Sequence, residues 1–164
     1  MHQLHPHFRA WLDRQLATVT ILQTTGPAVA DLAAAPRLDP WQAVLLDTSG
    51  IPALWGEVTG HPKLGDTVIL TSRLLALDAG NGWARTTSRW YRLGQPFAAQ
   101  LQDLARQIEA RDGAAPGSIS MGFQMPGCRA VTDFDALEPV FARYIAWLRQ
   151  LDTADRAARG MKEH

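Results

Sequence analysis

The sequence has only one cysteine in 164 residues, Cys128, which excludes an internal disulfide and a cysteine-rich zinc site. No apolar run approaches the roughly 18 residues that span a bilayer, and the first residues lack the basic-then-apolar order of a signal peptide. There is also no excess of charge, because sixteen basic residues balance sixteen acidic ones. Whole-molecule attraction to nucleic acid or to an anionic membrane is therefore not expected. We predict a soluble, cytoplasmic protein without a membrane partner.

Recognisable catalytic and cofactor motifs are missing as well. The chain has no phosphate-binding loop, no dinucleotide fingerprint and no Gly-x-Ser-x-Gly elbow. The histidines at positions 2, 5 and 7 have no acidic or cysteine neighbours at metal-site spacing. His61, between Gly60 and Pro62, is more typical of a turn that its imidazole shapes than of a general base. A lone thiol such as Cys128 is usually inert. We predict no cofactor, no metal site and no catalytic residue.

The remaining composition, 46% apolar and 20% charged, is that of an ordinary globular chain. We predict a single α+β domain over residues 1–164. Its parts are a helical segment at 6–36, an antiparallel sheet at 41–94 and a helical segment at 96–158. The first helix is expected to begin near Pro6, and Pro36 to Pro40 is interpreted as a connector. The last segment has two amphipathic helices separated by a long loop at 113–132, where a short strand around 118–123 is expected.

The predicted sheet is a four-stranded meander, bent or closed into a small barrel. The apolar run at 67–78 is assigned to a central strand. Asn81-Gly82 is a strong signal for a tight turn, which would join strand 68–78 to a return strand at 83–93. Alternation along that return strand puts Arg85, Arg89 and Tyr91 on one face.

The return strand lies in the stretch Gly82–Gly94, which contains two Trp, one Tyr and three Arg and no acidic residue. Arginine interleaved with aromatic rings can hold phosphates and stack bases. The same residues also serve ordinary packing, since arginine stems cover apolar surface and sheets favour aromatic cross-strand pairs. The packing role is favoured over a nucleic-acid face, and both interpretations stay open.

The core of the sheet region resembles an uncharacterised family of small alphaproteobacterial proteins, a domain of unknown function. The resemblance rests on Gly60-His61-Pro62, Thr71-Ser72, Leu77-Asp78, Trp83 to Thr86, and Ser88 to Gly94. It covers about residues 40–96. It implies a domain of that family and carries no implication for chemistry.

These observations favour a non-enzymatic binding or regulatory module that acts on a macromolecular partner. We expect a protein partner, with nucleic acid as the alternative. A mobile-element or phage-encoded inhibitor of a host defence complex is the second hypothesis, and a small enzyme using His61 or Cys128 is the third. If the loop at 113–132 is a contact arm for the partner, the side chains of Phe123 and Met125 should be exposed in the free protein. The predicted binding residues are Arg73, Arg85, Arg89, Trp90, Tyr91, Arg92, Phe123 and Met125.

Overall fold

The structure is a computed structural model that describes residues 3–113 and 122–160. It divides into two compact units, Met1–Ala28 with Asp135–His164, and Val29–Phe134. The single-domain interpretation stays a prediction. Within the described ranges, no helix is both long and apolar enough to cross a bilayer.

The elements confirm a mixed α+β fold. The helices and the 3-10 turn are α1 (Pro6–Thr24), α2 (Val29–Ala34), α3 (Phe97–Asp112), the 3-10 turn (Phe134–Leu137) and α4 (Glu138–Gly160). The strands are β1 (Arg37–Leu46), β2 (Pro52–His61), β3 (Gly65–Leu70), β4 (Leu74–Asp78), β5 (Trp83–Thr86), β6 (Trp90–Leu93) and β7 (Cys128–Val131).

The first unit is built on a pair of helices, α1 and α4. Helix α1 begins at Pro6 as predicted, where the absent N–H leaves no donor unpaired. Leu12 and Val19 of α1 form a small buried core with Leu148 of α4. Apolar side chains repeat at helical spacing on both helices, and burying those stripes against each other holds the pair together.

A buried carboxylate adds a second set of contacts to this unit. Asp155 on α4 is 2% exposed. Its side chain accepts a hydrogen bond from the backbone N–H of Leu4 at 2.8 Å, and further bonds from Arg9 Nη1 at 3.3 Å and Arg159 Nε at 2.9 Å. A charge so deeply buried needs such partners, so Asp155 ties the N-terminal segment to α4.

The second unit contains one sheet in the order β3-β2-β1-β6-β5-β4, with β7 pairing β1 beside β6. Among these seven strands, β1 and β6 are parallel and pair through Arg37↔Arg92 and Leu38↔Leu93, and the other pairs are antiparallel. The prediction of four strands is therefore wrong in detail. The run at 67–78 is not a central strand, because it divides into β3 and β4 at opposite edges of the sheet. Those edges do not pair across the described ranges, so the sheet is open rather than a barrel.

The predicted Asn81-Gly82 turn is present, between shorter strands than expected. It joins β4 to β5, with Asp78 opposite Trp83. Gly82 takes a φ of 71°, which is the region that favours glycine. Asn81 keeps a negative φ and instead bonds Asp78 through its backbone N–H at 2.9 Å and its amide at 2.8 Å.

The segment around Pro40 is a strand and not the predicted connector. Strand β1 starts at Arg37 and is the central strand, and its register with β2 shifts between Leu38 and Trp41. Proline cannot donate to a ladder and is found in sheets at such bulges. Gly56 lies opposite Trp41, and a Cβ there would come within 2.7 Å of the Pro40 carbonyl oxygen. The bulge therefore requires glycine on the neighbouring strand.

The two faces of the sheet differ in exposure. Leu54 and Val58 on β2 are buried, and Ile69 on β3 lies on the same side. The opposite face carries Trp55, which is half-buried beneath Phe97 at the start of α3. Helix α3 is the predicted amphipathic helix and ends at Gly113 with a φ of 65°. It buries none of its side chains fully, so this face stays partly open.

Candidate functional site

The stretch Gly82–Gly94 folds as a hairpin, not as one strand. Strands β5 and β6 pair through Trp83↔Arg92, Ala84↔Tyr91 and Arg85↔Trp90. The prediction of a continuous strand at 83–93 is therefore wrong, and so is the alternation derived from it. Arg85 lies on β5, whereas Arg89 lies in the turn between the strands.

A buried threonine closes this turn. The Thr86 side chain is fully buried, and its Oγ1 accepts hydrogen bonds from the backbone N–H groups of Ser88 and Arg89, each at 3.2 Å. The Thr86 N–H donates to the Arg89 carbonyl at 3.0 Å. Short hydroxyl side chains form such local bonds and thereby favour turns. The run Thr86-Thr87-Ser88 therefore reverses the chain without glycine or proline.

The reversal places two arginines beside a tryptophan in a concave site, which we call the cationic pocket. Arg85 and Trp90 are direct cross-strand partners, and Arg85 Cζ lies 5.3 Å from the centroid of the Trp90 ring. Arg89 lines the same cavity, whose volume is about 260 Å³. The rest of the lining comes from α2 and the two residues after it, from the end of β2 and the turn that follows, and from the turn after β5: Asp31, Ala34, Ala35, Pro36, Gly60, Pro62 and Ser88.

The electrostatics of the cationic pocket are set by partial burial. Burial lowers the pKa of Arg85, Asp31 opposes that shift, and the nearby charge of Arg89 lowers the pKa further. An arginine stays protonated despite such a shift. Two guanidiniums and one carboxylate line the pocket, which leaves a net positive charge for an incoming anion.

His61 lies at the end of β2, next to the residues that line the cationic pocket. It is 9% exposed, and its Nδ1 accepts hydrogen bonds from the backbone N–H groups of Lys63 at 3.2 Å and Leu64 at 3.0 Å. Burial lowers the pKa of His61, and the charges of Arg89 and Lys63 lower it further. The neutral imidazole is thus favoured, as a turn-shaping role requires.

The other predicted residues of the Arg-rich stretch lie elsewhere. Tyr91 is only 3% exposed and packs opposite Ala84, so its predicted place beside Arg85 and Arg89 is wrong. Arg92 is exposed, but its Nε donates to the Ala35 carbonyl at 3.1 Å and holds the chain after α2. Arg73 is half-buried just before β4, where its carbonyl accepts the Thr87 N–H at 2.9 Å.

The loop residues Phe123 and Met125 belong to a second cavity, of about 430 Å³. Both are half-buried, which is neither the exposure expected of a contact arm nor the full burial that would count against it. Phe123 packs 5.1 Å from Trp55 and 5.8 Å from Phe97, measured between ring centroids. The predicted strand around 118–123 falls largely outside the described residues, and the observed strand is β7.

The hydroxyl cluster at Thr71-Ser72 is engaged in structural bonds. Thr71 Oγ1 accepts the Leu54 N–H at 3.0 Å, and Ser72 Oγ lies 2.9 Å from Ser88 Oγ. Cys128 is a free, half-buried thiol on β7. Across residues 3–113 and 122–160, no group of three His, Cys, Asp or Glu side chains is arranged to hold a metal ion.

Comparison with known families accounts for nearly the entire chain, since the match runs over residues 2–163. The chain belongs to DUF6634, a family of unknown function. No curated protein and no solved structure matches it. An uncharacterised domain family is thus confirmed, over a longer span than the 40–96 of the resemblance. The taxonomic origin stays a prediction.

For this DUF6634 chain, the sequence indicated Arg85, Arg89 and Trp90 but not the groups around them. Asp31, Gly60 and Pro62 come from other parts of the second unit and reach the cationic pocket only through the pairing of β1 with β2 and β6. Trp55 and Phe97 were likewise missed as neighbours of Phe123. Alternation along a strand sets Trp55 on the opposite face from Leu54 and Val58, and this pattern is the signal that the sequence offers for it.

Proposed function

We propose that this chain is a non-enzymatic binding module that holds an acidic segment of a protein partner in the cationic pocket. The supporting observation is the convergence of Arg85, Arg89 and Trp90 on one concave site. Arginine and tryptophan dominate the binding energy of many protein interfaces. A guanidinium matches a carboxylate with two parallel hydrogen bonds, so an Asp or Glu side chain is a fitting ligand.

Partial burial makes the cationic pocket favourable for an anion. Arg85 is half-buried and its charge is destabilised by burial and by Arg89. An incoming carboxylate would relieve both effects, since it brings opposite charge to a site with restricted solvent. The same argument favours a ligand that enters the cavity over one that spreads across a flat surface.

Three observations favour a protein over a nucleic acid. Tyr91, the predicted stacking residue, is buried. The Trp90 ring already contacts Arg85 at 5.3 Å and Trp83 at 5.5 Å, which restricts it as a platform for bases. The chain has no net charge to support the phosphate contacts that dominate nucleic-acid affinity.

The test is capture from host lysate with the wild-type protein and two double variants. Arg85→Gln with Arg89→Gln removes both charges of the cationic pocket. Arg106→Gln with Arg111→Gln removes two charges on α3, where the side chains are 73% and 84% exposed. We expect a partner that mass spectrometry finds with the wild type and the α3 variant but not with the pocket variant. Equal capture by all three proteins would contradict the proposal.

The identity of the captured protein also addresses the second hypothesis. A subunit of a host defence complex would favour a mobile-element inhibitor that occupies that complex through the cationic pocket. A housekeeping protein would favour a regulatory module of the host itself.

A further inference from the structure

The outer edge of β3 is open in the described part of the chain. β3 is the first strand of the sheet, and β2 is its one partner among residues 3–113 and 122–160. Every residue from Gly65 to Leu70 is exposed except Ile69. Alternate backbone N–H and C=O groups of an edge strand point away from its partner, so β3 presents hydrogen-bonding groups to solvent.

This edge lacks the devices that usually protect a sheet from a second chain. The segment Gly65–Leu70 contains no Lys, no Arg and no Pro. Asp66 is its one charged residue, and Asp66 Oδ1 accepts the Gly60 N–H of its own hairpin at 2.9 Å. The opposite edge differs, because Leu74 and Leu75 of β4 are buried and the rest of β4 is half-buried. Of the two edge strands, β3 is therefore the one whose exposed backbone can pair with another strand.

We propose that a second copy of this chain pairs antiparallel with β3 about a two-fold axis at Val68. Val68 and Leu70 are 53% and 39% exposed, and they lie on the same face as Trp55 through the register pair Trp55↔Leu70. A pairing centred on Val68 sets Val68 opposite its own copy and joins the faces that carry Trp55, Val68 and Leu70, with the exposed Glu57 of β2 beside Val68 on each copy. A slip of one residue would set this exposed face against the side that carries Ile69, so the hydrophobic pattern selects the register.

Charge and symmetry favour a second copy as the occupant. The chain has no net charge, so two copies do not repel each other at long range. In the Val68-centred register Asp66 lies opposite Leu70 of the other copy, which keeps the two carboxylates apart. Such an interface uses the same patch on both copies and closes at two. It shares no lining residue with the cationic pocket, so the two proposals can fail separately.

The test is sedimentation equilibrium over a range of protein concentrations. We expect the wild type to dimerise with a dissociation constant on the order of micromolar, because a single strand pair buries less than a standard interface. Val68→Lys should weaken the dimer at least about tenfold, since like charges directly opposite each other are destabilising. Val29→Lys makes the same change at a side chain that is 89% exposed on α2, and it should leave dimerisation unchanged.

A charge-swap experiment tests the register itself. Val68→Lys and Val68→Glu should each be monomeric alone and should form a heterodimer when mixed, because the two side chains then face each other with opposite charge. Hydrogen exchange of the wild type is a further measurement that needs no variant. It should show amide protection at Asp66, Val68 and Leu70 that rises with protein concentration, because Thr71 donates its N–H to the Leu54 carbonyl and the alternate residues Asp66, Val68 and Leu70 therefore face away from β2. A wild type that stays monomeric, equal effects of Val68→Lys and Val29→Lys, no heterodimer on mixing, or concentration-independent exchange would each overturn the proposal.

Discussion

Arg85 and Trp90 occupy directly opposite positions on β5 and β6, with the Arg85 guanidinium carbon 5.3 Å from the centre of the Trp90 ring. The contact follows from the turn at Thr86–Arg89, which brings the two strands together. It orients a half-buried cation toward the cationic pocket and covers part of the aromatic ring. The same pair therefore contributes to the hairpin and to the site.

A double-mutant cycle on this pair should reveal a favourable coupling. Arg85→Met keeps the aliphatic stem and removes the charge, and Trp90→Leu removes the ring. We expect a coupling free energy of about 0.5–1 kcal/mol in chemical denaturation, the usual range for a cation beside an aromatic face. Additive effects of the two substitutions would show that the contact contributes nothing to stability.

The turn itself should depend on one hydroxyl. Thr86→Val preserves the side-chain shape but leaves the Ser88 and Arg89 N–H groups without their acceptor. We expect a loss of about 0.5–1.5 kcal/mol in unfolding free energy, the usual net contribution of a hydrogen bond, because Ser88 is exposed and Arg89 is half-buried. Thr59→Val, at an exposed position of β2, should change stability by less than about 0.5 kcal/mol. Similar losses for both variants would refute the role of Thr86.

His61 predicts a specific pH dependence. Its pKa is lower in the folded protein than the ordinary value of about 6.5. As pH falls below that value, the unfolded chain binds the proton first, so stability declines until pH reaches the folded-state pKa. His61→Asn supplies an oxygen for the Lys63 and Leu64 N–H groups without titrating. It should flatten this decline, whereas His7→Asn at an exposed position should not. Identical profiles of stability against pH for wild type and His61→Asn would contradict the claim that His61 causes this decline.

Asp155 predicts a loss of stability in acid. The hydrogen bond from the Leu4 N–H lowers the pKa of Asp155, and burial opposes that shift. The charge of Arg159 and the hydrogen bonds from Arg9 and Arg159 lower the pKa further. Stability from this group is therefore present above the ordinary Asp pKa of about 3.9 and is lost as pH falls through the folded value. At neutral pH, Asp155→Asn should lower Tm by several degrees. Asp13→Asn, at a 57% exposed partner of Arg9, should lower it much less. Equal decreases in Tm for the two variants would show that the buried Asp155 contributes no more to stability than the exposed Asp13.

Much of the fold follows from local sequence signals. The start of α1 near Pro6, the start of the loop after α3 at residue 113 and the turn at Gly82 each depend on one residue whose backbone chemistry is decisive. These features were predicted because proline and glycine act locally. The amphipathic pattern of α3 was confirmed for the same reason, since periodicity depends only on neighbours along one helix.

The sheet order and the cationic pocket depend on contacts between distant parts of the chain. The parallel pairing of Arg37 with Arg92 joins two distant segments of the chain. Alternation within each strand shows which side chains share a face, but it does not show which strands are neighbours. The division of 83–93 at Thr86 has no glycine or proline to mark it. Because that turn was missed, Arg89 was assigned to the wrong face and Tyr91 to the surface. The unusual composition of the stretch Gly82–Gly94 was enough to single out its arginines and Trp90. Only the folded structure shows which of them lie together in the cationic pocket.

The proposal of an acidic protein ligand is tested most directly by NMR observation of the arginine Nε–Hε groups. Wild-type protein is titrated with a hexaglutamate peptide, and in a parallel sample with a single-stranded oligonucleotide. We predict that hexaglutamate shifts the signals of Arg85 and Arg89 and leaves those of Arg106 and Arg111 nearly unchanged. The first two share a concave site, whereas the others are exposed on α3 and already pair with neighbouring carboxylates of that helix. Equal shifts at all four arginines, or a stronger response of Arg85 and Arg89 to the oligonucleotide, would contradict it.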